Sequence, residues 1–251
     1  MNKNINLSVS CVIPMYNEED NVETILRAAE TSLSQLVYEW EIVIVESGST
    51  DTTRERINRY IKNKSNIIVV FQTKKEGMGS ALRAGYKHCS KELVWHLEAD
   101  SPFEMEYLKR ALPILIENDC VVGYRIGVRK DNYKWSYGRQ GKIKGAIRSF
   151  FHIGYNLTLR FLFCLVIRDV NFSFKIFKRK HLLDLKLNSN GWFIDAEILL
   201  ELKKKGIFPI EMPIEYRDRD RGTSTVGLAS PLKIIGEMLY YKFKNISGIK
   251  V

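Results

Sequence analysis

Long apolar runs are missing from this chain. Nowhere do eighteen apolar residues follow one another, and the nearest approach, Phe150 to Ile167, is broken by His152, Asn156 and Arg160. That segment can lie on a bilayer but is not expected to span one. The N-terminal hydrophobic run, Val9 to Pro14, is too short for the apolar core of a secretion signal. Cysteine is scarce: Cys11, Cys89, Cys120 and Cys164 stand far apart with no C-x-x-C spacing, a pattern that suits buried thiols in a reducing compartment. The expected location is therefore cytoplasmic, or the cytosolic face of a membrane with attachment that is peripheral or through a partner. Internal repeats and low-complexity segments are absent. So are helix-turn-helix, zinc and RNA-binding signatures, and with positive charge dispersed along the chain, nucleic acid is not an expected partner.

What is present is an ordinary globular composition. The chain has 251 residues, 45% hydrophobic and 27% charged, enough to bury a full core in one domain. A formal net charge of +10 favours anionic partners such as phosphorylated ligands or anionic lipid.

The first half alternates two patterns. Val9 to Ile13, Ile42 to Val45, Ile67 to Phe71 and Leu93 to Leu97 are short apolar runs that read as buried strands. Between them Asn21 to Leu33, Thr52 to Ile61 and Gly79 to His88 read as helices, the first with Val22, Ile25, Leu26, Ala29 and Leu33 on one face. Strands joined by helices give an α/β fold whose mostly parallel sheet has helices on both faces. Cys120 to Gly123 is a further strand. Tyr124 to Lys144 is basic, aromatic and glycine-containing, and reads as a long functional loop. Gly145 to Ile167 is an apolar helix suited to an interface or to shielding the sheet. Phe172 to Phe177, Asp195 to Lys205, Ile207 to Tyr216 and a helix from about Pro231 to Phe243 complete the fold.

Chemistry is expected at the strand ends. The apolar run Leu93 to Leu97 stops at Glu98-Ala99-Asp100, and Ser101, Pro102 and Glu104 have the residue types of a helix start. Ligands of open α/β sheets bind outside the carboxyl ends of strands. A hard cation there, Mg2+ or Mn2+, takes one or two carboxylates and completes its shell with substrate phosphates. The first strand likewise runs into Pro14-Met15-Tyr16-Asn17-Glu18-Glu19, and the second into Glu46-Ser47-Gly48-Ser49-Thr50-Asp51.

In this order and spacing the three strand ends resemble the inverting family-2 glycosyltransferases of GT-A fold, over roughly residues 8 to 225. The likeness is greatest to those that use polyprenol phosphates, such as dolichol-phosphate mannose synthase. Gly77, Ala81 and Gly85, Gly123-Tyr124-Arg125, Arg168-Asp169-Val170 through Phe174, Gly191-Trp192, Glu197, Glu211 to Ile214 and Arg219 to Thr225 continue it. The resemblance implies a single domain over 1–251, with a nucleotide-binding half, 6–123, and an acceptor-binding half, 124–244, that holds the basic loop and amphipathic helix. It implies that Pro14, Tyr16, Glu18, Val45 and Ser47 hold base and ribose, and that Glu98, Ala99 and Asp100 surround metal and diphosphate, with Glu98 and Asp100 as the metal ligands. Arg125, Arg148 and Arg219 would face phosphates of donor or acceptor, where guanidinium forks make paired bonds, and Thr225 would border the donor. Asp100, Arg125 and Arg148 are the expected catalytic set.

Three features depart from the family pattern. Glu46 and Ser47 replace two aspartates, Glu98 replaces the first aspartate of D-x-D, and Thr225 stands where a lysine is expected. One charge-assisted phosphate contact is worth about 1.5–3 kcal/mol, so the last change bears on donor choice or rate. Three readings stay open. Sugar from a GDP- or UDP-linked donor passes to a polyprenyl phosphate, which needs no general base, at a membrane surface. Or it passes to a saccharide hydroxyl, which needs a carboxylate such as Asp195 or Glu197. Or the chain binds nucleotide sugars without turnover.

Overall fold

The computed structural model describes residues 5–100, 103–127, 142–216 and 230–246. Its centre is a seven-stranded sheet. The strands are β1 (Ile5–Met15), β2 (Val37–Glu46), β3 (Ile67–Phe71), β4 (Leu93–His96), β5 (Cys120–Gly127), β6 (Lys175–Lys178) and β7 (Ile210–Tyr216), in the order β3-β2-β1-β4-β6-β5-β7. β1 pairs in parallel with β2 and β4, β2 with β3, and β5 with β7. Only β6 runs against its neighbours, β4 and β5. The sheet is mostly parallel, as the alternating sequence pattern implies.

Helices cover both faces because β1 is apolar on both. Cys11, Ile13 and Met15 join the core under α1 (Val22–Leu36), α2 (Thr53–Tyr60) and α4 (Glu106–Glu117). Val12 points the other way, into the core under α3 (Met78–Lys87), α5 (Lys142–Phe163), α7 (Ile194–Lys204) and α8 (Ser230–Ile246). A short helix, α6 (Arg179–Leu183), follows β6.

Among the boundaries that differ from expectation, three have a clear packing reason. β2 starts five residues early, at Val37, with a half that is partly exposed and so lacks an apolar run. β5 continues through Tyr124–Gly127, residues expected in a loop, because β7 pairs with it as far as Gly127↔Tyr216. α4 begins at Glu106; Ser101 and Pro102, expected at its start, lie outside the described residues. Between acids and helix the chain buries Phe103, whose ring meets Phe172 and Phe174 edge-on at 5.7 and 5.2 Å.

Candidate active site

The carboxyl ends of β1, β2 and β4 lie side by side, so the loops after them share one edge of the sheet. Leu97 N donates to Val12 O at 3.0 Å, and Ser47 N to Met15 O at 3.0 Å, drawing the Glu98 and Ser47 loops to either side of β1. Pro14 and Val45 are register partners and both are buried. Val45 packs in the core beneath Gly85 of α3. Tyr16 is half-buried, and Lys75 Nζ stands 3.9 Å above its ring centroid. Burial also lowers the Lys75 pKa. Nothing in the sequence singles out Lys75, which reaches Tyr16 from the loop after β3.

The loop after β1 is pinned to the start of α2. Asn17, at φ 54, takes Thr50 N on its Oδ1 at 2.9 Å, and Glu18 N donates to Thr53 Oγ1 at 2.8 Å. Glu18 Oε2 accepts from Asn21 Nδ2 at 2.7 Å. Glu46 is fully buried; Arg54 donates to its Oε2 through Nε at 2.8 Å and Nη2 at 2.6 Å, and Ser49 N to its Oε1 at 2.5 Å. Glu46 therefore builds the turn, and Ser47, next to it, is also buried. Its hydroxyl donates to Gln72 Oε1 at 2.9 Å.

Glu98, Ala99 and Asp100 form the turn beyond β4, with Ala99 buried and both acids half-exposed. Two carboxylates one residue apart are hard oxygen donors that suit Mg2+ or Mn2+, provided that diphosphate oxygens supply other positions. Among the described residues no group of three or more His, Cys, Asp or Glu could enclose a metal unaided. The donor set thus fits a cation that arrives with its substrate.

β5 ends at the same edge, and because β6 is reversed, the segment leading into it does too. Arg125 and Asp169 meet there: Nε donates to Oδ2 at 2.6 Å and Nη2 to Oδ1 at 2.9 Å. The guanidinium also lies 5.7 Å from the Phe172 ring centroid. This paired contact holds Arg125 in one orientation. Arg148 lies in α5, but its side chain, like Arg219 and Thr225, falls outside the described residues.

Behind this edge is a buried polar cluster that the sequence does not reveal. Lys175 of β6 and Asp195 of α7 are both almost wholly enclosed, with Nζ 2.8 Å from Oδ1. Lys175 Nζ also donates to Phe172 O. His96 Nδ1 lies 4.0 Å from the same Asp195 oxygen, and burial, with Lys175 adding to it against the pull of Asp195, takes this imidazole down to about 4. Glu197 accepts from Asn188 N at 2.9 Å and Ser189 N at 2.8 Å. Both acids expected as proton acceptors for a hydroxyl are thus engaged inside the protein.

The Asn188–Phe193 segment clamps three helices. Asn190 O accepts from Gly79 N at 2.8 Å and Ser80 N at 3.4 Å at the start of α3. Gly77 and Gly79 are glycine of necessity, since an added Cβ would lie 2.2 Å from Asn190 O or 2.1 Å from Ser189 O. Glu237 of α8 accepts from Gly191 N at 2.8 Å. Away from all this, a cavity of about 580 Å3 between α1 and α2 is lined by Arg27, Glu30, Arg59 and Tyr60 and contains none of the strand-end residues.

Known proteins resemble this chain in sequence and in fold. A dolichyl-phosphate beta-glucosyltransferase of Trichomonas vaginalis is 31% identical over 84% of this chain and 66% of its own length. A dolichol-phosphate mannosyltransferase of Pyrococcus furiosus is 29% identical over 87% of this chain and 59% of its own. The chain thus spans less than two thirds of the length of these relatives. Glucosyl-3-phosphoglycerate synthase from Mycobacterium tuberculosis, solved with Mn2+, uridine diphosphate and glucosyl-3-phosphoglycerate, superposes with a TM-score of 0.68 at 18% identity, covering 93% of this chain and 79% of that one. That likeness is one of fold, the GT-A fold. The family description Glycosyl transferase family 2 matches residues 10–185, and the chain belongs to that family.

Proposed function

We propose that this chain transfers a sugar, with inversion, from a nucleoside-diphosphate sugar to a polyprenyl phosphate at a membrane surface. The observation that carries the choice of acceptor is the buried ion pair between Lys175 and Asp195. A hydroxyl acceptor needs a poised base, but Asp195 is held by Lys175 and Glu197 by two backbone amides. A phosphate acceptor is already anionic near neutral pH and needs none. Its oxygen attacks the anomeric carbon from the face opposite the leaving diphosphate, and catalysis consists of alignment and charge compensation.

Glu98 and Asp100 would hold a divalent ion, Mg2+ or Mn2+, which supplies charge neutralisation at the departing diphosphate. Arg125, oriented by Asp169, with Arg148 and Arg219, supplies cationic groups for the phosphates of donor and acceptor. Tyr16, Ser47 and the backbone at Pro14 and Val45 receive the nucleoside. The relatives named for dolichyl phosphate support the lipid acceptor.

A lipid acceptor requires contact with a bilayer. No helix among the described residues is long and apolar enough to cross one. α5 offers a surface instead: its 22 residues include no acid, and Ile153, Leu157 and Phe161, four apart, are exposed. An apolar stripe on a purely basic helix suits an anionic membrane surface.

The test supplies labelled UDP- and GDP-sugars with Mn2+, and either polyprenyl phosphate in detergent or free glycans. Transfer to polyprenyl phosphate, abolished by a chelator and restored by metal, is expected. Product on glycans alone would reject the lipid-phosphate reading.

A further inference from the structure

Where family-2 enzymes commonly have an aspartate after the second strand, this chain has Ser47, and a hydroxyl can donate as well as accept. Three other side chains remove that freedom. Ser80 Oγ donates to Glu76 Oε2 at 2.7 Å, and an ionised carboxylate only accepts. With its one hydrogen committed, Ser80 Oγ must accept from Gln72, whose Nε2 lies 3.0 Å away. The Gln72 amide is thereby fixed with Oε1 towards Ser47, which donates to it at 2.9 Å. Ser47 has then committed its own hydrogen, so its oxygen offers any further partner lone pairs alone.

The two serines are the enclosed part of this chain of bonds, while Gln72 is half-buried and Glu76 exposed. Ser47 and Ser80 are 5% and 7% exposed, and Gln72 is held by its backbone N–H, which donates to Glu46 O at 2.8 Å. Ser47 itself is bonded to the Met15 carbonyl, next to Tyr16 beneath Lys75.

We propose that Gln72, oriented by Ser80 and Glu76, is a specificity-determining residue that makes Ser47 an obligatory acceptor and so selects a nucleobase presenting a ring N–H. Uracil at N3 and guanine at N1 carry that hydrogen. Cytosine carries a lone pair at N3, and two acceptors facing each other leave both unpaired. The serine thus reproduces the polarity of the missing carboxylate through neighbours instead of charge. The inference rests on the reading of Tyr16 and Ser47 as the nucleoside site.

Calorimetry with UDP, GDP and CDP in the presence of Mn2+ tests both. The wild-type chain is expected to bind UDP or GDP about 10- to 100-fold more tightly than CDP, the range set by leaving one buried polar group unpaired. Ser80→Ala frees the Gln72 amide to turn Nε2 towards Ser47. The hydroxyl then donates, and CDP binding is expected to strengthen in absolute terms, a gain that structural damage does not produce. Gln72→Leu should bring the three affinities within about 5-fold. Gln72→Glu, which keeps an accepting oxygen towards Ser47, should retain the wild-type preference. Wild-type affinity for CDP equal to that for UDP and GDP, or an unchanged preference in both Ser80→Ala and Gln72→Leu, overturns the role of Gln72 while leaving a nucleotide site in place. Failure of the wild-type chain to bind any of the three overturns the nucleoside-site reading with it.

Discussion

Replacing Lys175 with methionine removes the cation and keeps most of the aliphatic volume. Lys175 is fully buried, Asp195 is 2% exposed, and their charged atoms are 2.8 Å apart. The variant leaves Asp195 enclosed without a counter-ion among the described residues, where the nearest other basic group, His96 at 4.0 Å, is held neutral above about pH 4. Breaking one side of such a pair costs about 3–5 kcal/mol. In a chain of this size each kcal/mol moves the melting temperature by about 2–4 °C, so a loss of about 6–20 °C is expected in circular dichroism melts. Lys175→Met/Asp195→Leu, which removes both charges, should recover most of that loss, since an apolar replacement of a buried pair is close to neutral. Asp195→Asn separates structure from chemistry. If Asp195 serves only as partner to Lys175, transfer to polyprenyl phosphate should stay within about 10-fold of wild type, whereas a general base would cost about 100- to 10,000-fold. A melt of Lys175→Met within about 3 °C of wild type, or additive losses in the double variant, would falsify the argument.

Further expectations test other parts of the molecule. Phe161→Asp, at a position 82% exposed on α5, should reduce co-sedimentation with phosphatidylserine vesicles at least 10-fold; undiminished binding would remove this stripe from the membrane contact. Gly77→Ala places a Cβ 2.2 Å from Asn190 O at φ 116 and should cost about 1–3 kcal/mol in urea unfolding. By contrast Gly154→Ala, with open space around its Cβ in α5, should be neutral or stabilise by up to about 1 kcal/mol. Native protein at pH 8 should show one fast thiol, Cys164, towards a chromogenic disulfide. Cys11, Cys89 and Cys120 are buried, and burial raises all three thiols, that of Cys89 to about 12; two or more fast thiols would contradict this. Arg125→Lys keeps the charge but not the paired bonds to Asp169, and should lose about 1.5–3 kcal/mol of stability by chemical denaturation.

The first four strands were legible because each contains an apolar run, with helical periodicity between. The acids after β4 stood out for the same reason, since polar residues ending such a run must lie at the sheet edge. What sequence could not disclose depends on partners distant along the chain. Lys175 sits in the apolar stretch Phe172–Phe177 and reads as a solvent-facing break, yet its charge is met by Asp195 twenty residues later. Arg125 is recognisable as a basic group after a strand, but its orientation is set by Asp169, 44 residues on. The apparent cap at Ser101 and Pro102 misplaced α4 because local residue types carry no information about the aromatic contacts of Phe103.

Where Asn190 lies has a consequence for phosphate recognition. Many nucleotide-binding folds seat phosphates on the bare amides at a helix start. At α3 the amides of Gly79 and Ser80 already face a carbonyl of the same chain, with glycines allowing the close approach. For the donor proposed above, that seat is filled from within, and the pyrophosphate charge would fall to the side chains and the cation of neighbouring loops.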